Sequence, residues 1–210
     1  KRTSKSAVKI AVDMVKEKLI SKKDAVLMID PNSLDTLLHP TLDEKSSIEV
    51  IASGLPASPG AASGKVVFTS EEAERLNGMM QDTILVRVET SPEDIQGMHA
   101  AKGILTARGG MTSHAAVVAR GMGRPCVSGS SEIDINYEKK VFKTLSVEVK
   151  EGDIITIDGS TGRIILGNVP TVKPEISGDF SKLMGWADDI RKLKVRTNSE
   201  TPLDTKIARD

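Results

Sequence analysis

Residues Gly103–Gly129, GILTARGGMTSHAAVVARGMGRPCVSG, decide the fold of the region around them. The apolar run at Gly103–Thr106 is typical of a short buried strand, and Gly109-Gly110 mark a turn after it. The alanine-rich sequence that follows His114 favours a helix, which a later glycine would end. The pattern predicts a strand, a glycine-hinged loop and a helix that begins at this histidine.

The predicted position of His114 suits a nucleophile that carries an anion. A neutral imidazole has a lone pair for attack, and an imidazole is mostly neutral near pH 7. A helix N-terminus favours an attached anion and disfavours the imidazolium, each by roughly 0.3–1 kcal/mol at an exposed site. Backbone N–H groups of the first turn can also bind the oxygens of an anion. The simpler alternative, a capping or surface histidine, is more common for a lone histidine at a helix start.

The residues beside this histidine have structural interpretations as well as functional ones. Thr112 and Ser113 are ordinary helix N-cap residues. Gly109 and Gly110 allow close approach of the backbone or a positive φ, and they leave room for a large donor. Arg108 is expected to be a solvated side chain, with phosphate binding as the alternative.

Composition excludes several classes of protein. Lys plus Arg and Asp plus Glu are both 29, and a formal charge of zero argues against a dedicated nucleic-acid binder. Cys126, the single cysteine, is expected in the core and favours a reducing, cytoplasmic compartment. No run approaches the roughly 20 apolar residues of a membrane span. His39 and His99 lack partners at metal-ligand spacing, so no metal site is predicted.

The chain divides into three predicted segments. Residues 1–46 are a predicted helical segment, in which residues 4–20 place apolar side chains at helical spacing and a second helix begins near Ser21. Since a helical hairpin cannot bury its own apolar face, we expect it to pack on something outside the chain. Residues 47–168 form the main domain, and residues 169–210 a linker, a helix at 182–193 and the start of another domain. We expect the chain to be a piece of a larger protein.

Strands and short helices alternate within the main domain, which predicts the α/β class. Gly54–Gly64 is rich in turn formers, and Ser70 and Ser91 are predicted helix N-caps. A β-hairpin is predicted at the end of the domain, around the turn Asp158–Gly162. The other predicted strands lie at 65–68, 83–88, 104–106 and 126–127.

The segment Gly109–Ala116, with Ala119–Gly123 behind it, resembles the phosphohistidine domain of phosphoenolpyruvate-utilising enzymes. Within that family, the combination of Met111 with Arg120–Gly123 and Cys126-Val127 is similar to the dikinases. Phosphoenolpyruvate synthases and phosphotransferase enzyme I typically have arginine where this chain has methionine. The motif is long and specific, and the resemblance covers most of the chain.

The resemblance implies the fold and the roles of the site residues. Residues 47–168 would be the family's swivelling β/β/α domain, with His114 as the phosphohistidine intermediate. Thr112 matches the family's site of regulatory phosphorylation by a kinase and phosphatase. The residues implied to support the phosphate loop are Gly109, Gly110, Ser113 and Ala115.

The resemblance also implies neighbouring domains outside the chain. Residues 1–45 resemble the connection from a nucleotide-binding domain, and residues 195–198 the first strand of a phosphoenolpyruvate/pyruvate barrel. The net reaction would convert ATP, phosphate and pyruvate into AMP, pyrophosphate and phosphoenolpyruvate. Mg²⁺ and ATP would be bound by those domains, and no cofactor or metal by this chain. The full-length protein is expected to be a cytoplasmic homodimer without nucleic-acid or membrane partners.

Three alternatives stay open at this point. The carrier domain of a phosphoenolpyruvate synthase or of phosphotransferase enzyme I would share the fold and the histidine. A structural or interaction module of the same fold would have no chemistry. In every case the chain alone is not expected to catalyse the full reaction.

Overall fold

The structure, a computed structural model, describes residues 4–35, 37–43, 46–172, 178–194, 196, 202 and 205–206. They divide into two compact units. The helical unit comprises Lys1–Asp30 and Ile176–Asp210, and the sheet unit comprises Pro31–Glu175. No helix within the described ranges has the length and apolar character to cross a lipid bilayer.

The helices in the described ranges are α1 (Ser4–Lys16), α2 (Lys22–Leu27), α3 (Pro31–Asp35), α4 (Ser70–Gly78), α5 (Ile95–Ala100), α6 (His114–Gly121) and α7 (Gly178–Ile190), with a 3₁₀ turn at Pro92–Asp94. The strands are β1 (Thr41–Leu42), β2 (Val50–Ser53), β3 (Leu55–Ser58), β4 (Ala61–Val67), β5 (Thr83–Arg87), β6 (Gly103–Thr106), β7 (Cys126–Ser128), β8 (Asp134–Asn136), β9 (Val141–Lys143), β10 (Glu148–Lys150), β11 (Ile154–Asp158), β12 (Arg163–Leu166) and β13 (Thr171–Val172).

The helical unit buries part of its apolar surface within the chain. Helices α1 and α2 both contact α7, whose Phe180 and Leu183 are buried. Helix α7 thus supplies, within the chain, part of the apolar partner that α1 and α2 need. Leu19 and Leu27 stay exposed, and the expectation of a further partner outside the chain stays a prediction. The helix predicted at 182–193 spans Gly178–Ile190 instead. Of the barrel strand expected at 195–198, only Arg196 lies within the described residues.

The two units do not coincide with the predicted domain boundaries at residues 46 and 168. Thr41 pairs with Val172 and Leu42 with Thr171, so strands β1 and β13 lie together in the sheet unit. The assignment of the flanking segments to neighbouring domains stays a prediction.

The sheet unit is built on one mixed sheet of eight strands, in the order β2-β12-β11-β4-β5-β6-β7-β3. Strands β4 to β7 are parallel, and the strands that flank them are antiparallel. The first and last strands of this order, β2 and β3, are separated in the chain by Gly54 alone. Because one residue spans only about 3.8 Å, the two ends of the sheet must meet, and the sheet curls onto itself.

Alternating side chains of the parallel strands enter two separate apolar clusters. Ile84, Val86 and Leu105 point to one face of the sheet, whereas Leu85 and Ile104 point to the other, as the two-residue period of a strand requires. The first face is covered by Phe142 and Val149 of a three-stranded antiparallel sheet, β10-β9-β8. The second face is covered by helices α4, α5 and α6. The result is a β/β/α arrangement, and the predicted α/β class is confirmed.

Several local predictions need correction. The N-cap of α4 is Thr69 rather than Ser70, since the Thr69 hydroxyl accepts a hydrogen bond from the Glu72 amide at 3.2 Å. The glycine- and proline-rich segment Gly54–Gly64 contains all of β3 and the start of β4. The three-stranded sheet was not predicted at all.

Cys126 is fully buried in β7, and burial raises the pKa of its thiol to about 12. We expect the folded chain to resist iodoacetamide at pH 8, because the reactive thiolate is not formed and the sulfur is inaccessible. Above the ordinary thiol pKa of 9.0, ionisation of the unfolded chain should also lower the stability of the fold as the pH rises. Mass spectrometry after alkylation checks this, with the urea-unfolded chain as the reactive control. Equal alkylation of the folded and unfolded chains would contradict the prediction.

Candidate functional site

The candidate site lies at the carboxyl edge of the parallel strands. β5 and β6 are parallel and adjacent, so the loops that leave them emerge side by side. The loop after β5 carries Thr90, and the loop after β6 leads to His114. In sheets of this kind, ligands bind at the carboxyl ends of the strands.

Helix α6 begins at His114 because Ser113 caps it. Ser113 has extended backbone angles, φ −64° and ψ 160°, and its hydroxyl accepts a hydrogen bond from the Ala116 amide at 3.3 Å. The helix ends at Gly121, and Gly123 takes the left-handed conformation with φ +64°. The histidine is thus held in the first turn, at the positive end of the helix.

The imidazole of His114 is fixed on one side only. Its Nδ1 lies 2.9 Å from Oγ1 of Thr90, 24 residues earlier in the chain. Its Nε2 makes no hydrogen bond to any side chain or backbone atom that the structure describes. His114 is half-buried, and it lines a small cavity.

The loop before α6 is held by backbone contacts. Gly109 has φ +110°, which an L side chain rarely adopts, and a Cβ at Gly129 would overlap the carbonyl oxygen of Gly109. Arg120 of α6 donates one hydrogen bond to the carbonyl of Met111 and another, of 3.0 Å, to the carbonyl of Ala116. These contacts therefore hold the backbone of the loop that leads to His114.

The loop that carries Thr90 is braced by a buried carboxylate. Asp94 accepts a hydrogen bond from the Ser91 amide at 2.9 Å and another from the Ser70 hydroxyl at 3.0 Å. A charged neighbour of Asp94 is Arg87, whose Nε lies 3.4 Å from Asp94 Oδ1. Because a carboxylate satisfied in this way is hard to displace, the loop beside Thr90 has little freedom.

A small cavity of about 200 Å³ opens beside the histidine. Of the residues that the sequence singled out, Gly109, Ser113, His114 and Ala115 line it, and so does Arg108. The remaining lining residues are Glu89 and Thr90.

Two of the predicted site residues, Gly110 and Thr112, do not line this cavity. Gly110 has open space around it, and its carbonyl accepts a hydrogen bond from the Ser113 amide at 3.0 Å. Thr112 is exposed on the loop.

Sequence reasoning missed Thr90, which is the hydrogen-bond partner of the histidine. The signal was present, because Thr90 follows a predicted strand and precedes the predicted N-cap Ser91. Loops that follow adjacent parallel strands meet at one sheet edge, and this rule would have found it.

The resemblance implies that Mg²⁺ is bound by domains outside this chain. No group of three or more His, Cys, Asp or Glu side chains within the described ranges is arranged to hold a metal ion.

Comparisons with known proteins agree with the resemblance seen in the sequence. Residues 79–162 match the family described as "PEP-utilising enzyme, mobile domain". The pyruvate, phosphate dikinase of Rhizobium meliloti (strain 1021) is 60% identical over 209 residues, which is 100% of this chain and 23% of that protein. Pyruvate, phosphate dikinase 2 of Zea mays is 56% identical over 212 residues, 100% of this chain and 24% of that protein.

A third relative matches the chain with similar identity and coverage. The pyruvate, phosphate dikinase of Clostridium symbiosum is 56% identical over 207 residues, 98% of this chain and 24% of that protein. The chain thus spans about a quarter of the length of the curated relatives that it matches. The NMR solution structure of the Enzyme I (nEIt) protein is 23% identical over 50% of this chain and 38% of that chain, but its TM-score of 0.31 is too low to support an argument.

Proposed function

We propose, from the match of residues 79–162 to the family of PEP-utilising enzyme mobile domains, that the chain is the phosphoryl carrier of a pyruvate, phosphate dikinase. His114 accepts a phosphoryl group at one active site and gives it up at another. The net reaction is ATP, phosphate and pyruvate to AMP, pyrophosphate and phosphoenolpyruvate. The chain alone does not complete it.

The observation that carries this proposal is the unequal environment of the two imidazole nitrogens. Nδ1 has a partner in the Thr90 hydroxyl at 2.9 Å, whereas Nε2 has none among the described residues. In the tautomer with the proton on Nδ1, Nδ1–H donates to Oγ1 of Thr90 and Nε2 keeps a free lone pair. Nε2 is therefore the nitrogen that attacks phosphorus.

The surroundings of His114 suit a phosphoryl dianion. The group would be attached at the first residue of α6, where the partial positive charge of the helix favours an anion. The adjoining cavity of about 200 Å³ has room for its oxygens. Since each partner site supplies its own charge stabilisation for transfer, the carrier needs mainly exposure and correct orientation.

The remaining partners belong to the same proposal. A nucleotide-binding domain would load the histidine from ATP with Mg²⁺, and a phosphoenolpyruvate/pyruvate barrel would discharge it, within a cytoplasmic homodimer. Thr112 is exposed, so a regulatory kinase and phosphatase could reach it. A phosphate on Thr112 would repel a phosphorylated His114 two residues away.

Labelling with phosphoenolpyruvate tests the carrier function. The full-length protein is incubated with [³²P]phosphoenolpyruvate, and we expect acid-labile, base-stable label, as phosphohistidine gives. Tryptic cleavage after Arg108 and Arg120 releases Gly109–Arg120, which contains His114 but neither His39 nor His99. Label in this peptide supports the proposal, and an unlabelled protein would favour a module without chemistry.

Phosphate dependence separates the dikinase from its relatives. A dikinase requires phosphate to form phosphoenolpyruvate from ATP and pyruvate and releases pyrophosphate, whereas a phosphoenolpyruvate synthase uses water. Phosphoenolpyruvate formation that is unaffected by removing phosphate would favour the synthase, and transfer only to a protein acceptor would favour phosphotransferase enzyme I.

Thr90 is expected to act as a positioning residue for His114. Thr90→Val keeps the shape of the side chain and removes the hydroxyl, so labelling by phosphoenolpyruvate should slow by about fivefold, the value of one neutral hydrogen bond. The ¹⁵N shifts of the His114 ring should show a loss of the Nδ1–H tautomer. Thr90→Ser keeps the hydroxyl and serves as the control. Unchanged ring shifts in Thr90→Val would show that the contact does not set the tautomer.

A further inference from the structure

Arg108 is the arginine that the proposed function has not yet used. Its amide donates to the carbonyl of Val88 at 2.9 Å, and its carbonyl accepts from the Thr106 hydroxyl at 2.8 Å. The backbone is thus fixed between β5 and β6. Arg108 is exposed and is one of the residues that line the cavity beside His114. Its side chain makes no hydrogen bond or ion pair to any residue that the structure describes.

The other arginines of residues 46–172 differ from Arg108 in this respect. Each of them donates a hydrogen bond to a carboxylate or a backbone carbonyl. They are Arg75, Arg87, Arg120, Arg124 and Arg163. Arg108 is therefore the one arginine within this described range whose guanidinium is free for a ligand.

A phosphoryl group in the cavity that Glu89 lines requires a cation beside it, and the Arg108 guanidinium can be that cation. Glu89 also lines the cavity, and no ion pair joins it to Arg108. A phosphoryl group on His114 would place a dianion beside the cavity that Glu89 also lines. The two would repel each other unless a cation stood with them. A guanidinium presents two parallel N–H donors that match two phosphoryl oxygens.

We propose that Arg108 binds the phosphoryl group carried on His114 and protects it from water between the two active sites. This inference rests on the proposed carrier function. In the loss reaction, a water oxygen forms a bond to phosphorus, the N–P bond breaks, and the imidazole leaves with a proton. The Arg108 guanidinium opposes that step because it stabilises the bound dianion and disfavours the positive charge of a protonated imidazole. The Glu89 carboxylate repels the bound dianion and favours a protonated imidazole, so it promotes the loss of the phosphoryl group.

The test uses the 210-residue chain and phosphoramidate. The imidazole displaces ammonia from phosphoramidate, so an N–P bond breaks and an N–P bond forms without any other domain. After the reagent is removed, ³¹P NMR follows the loss of the phosphohistidine signal, and peptide mass mapping locates it at His114.

Four variants sharpen the result. Arg108→Gln should lose the phosphoryl group about fivefold faster than the wild type, as expected for one well-oriented arginine at an exposed site. Arg108→Lys should fall between the two, since it keeps the charge without the planar fork. Glu89→Gln should lose it more slowly. Lys139→Gln removes the same charge at an exposed lysine outside this cavity and should match the wild type.

The outcomes separate the two proposals. A wild-type chain that phosphoramidate does not label at His114 would count against the carrier function itself. Normal labelling with equal rates of loss in the wild type and Arg108→Gln would overturn the role of Arg108 and leave the carrier function standing. Faster loss in Lys139→Gln as well would show a general charge effect and would also overturn it.

Discussion

Replacement of His114 by glutamine is expected to abolish phosphorylation by phosphoenolpyruvate. The glutamine amide can still reach a hydrogen-bond partner and fill much of the same space. Its nitrogen lone pair is delocalised into the carbonyl, however, so no atom at this position can attack phosphorus. The rate of labelling should fall by about 10⁴-fold or more, to the background, as it does when a covalent nucleophile is removed.

The measurement is incorporation of ³²P from phosphoenolpyruvate into the full-length protein. His99→Gln is the matched control, because His99 is exposed near the end of α5 and only its backbone carbonyl binds Arg124, at 2.9 Å. That variant should be labelled at the wild-type rate. Label that persists in His114→Gln, or that is lost in His99→Gln, would move the carrier role to another residue.

Substitution of Gly159 by alanine is expected to have the largest effect on folding. A Cβ at this position would overlap the carbonyl oxygen of Ser58 in β3 and lie 2.9 Å from the amide nitrogen of Cys126 in β7. Both atoms belong to the backbone of paired strands, so they cannot move without disturbing the β3–β7 ladder. The cost should be about 3 kcal/mol or more.

Urea unfolding followed by far-ultraviolet circular dichroism measures this cost. Gly78→Ala is the control, since Gly78 ends helix α4 and no atom within 4 Å would meet its Cβ. Replacing a helical glycine in open space by alanine should stabilise the fold by roughly 0.5–1 kcal/mol. Equal unfolding midpoints for Gly159→Ala and the wild type would contradict the prediction, because β3 and β7 would then accommodate the Cβ without a measurable loss of stability.

The local features of the site could be predicted from the sequence. The start of α6 at His114 follows from the capping residue Ser113 and the alanine run behind it, and the positive φ of Gly109 agrees with its predicted freedom. The hairpin β11–β12 was also predicted, because its apolar strands flank the turn Asp158–Gly162. All of these depend on residues close together in the chain.

Other features of the fold could not be predicted from the sequence pattern. The three-stranded sheet β8–β10 has strands of three residues each, too short for a clear two-residue period. Helices α1 and α2 contact α7, and in the sequence the whole sheet unit lies between them and α7. Sequence spacing gives no information about such a pairing.

By itself, the sequence predicted His114 as the nucleophile, and it determined the place of this residue at the start of a helix and the resemblance to a carrier family. These depend on capping, glycine and helix propensity, which act over a few residues. Only the tertiary structure decided that Thr90 holds Nδ1 of His114, that Nε2 has no partner among the described residues, and that Arg108 and Glu89 line the same cavity. Those relations depend on which strands are parallel neighbours and on their register, and both are set by the packing of the whole sheet.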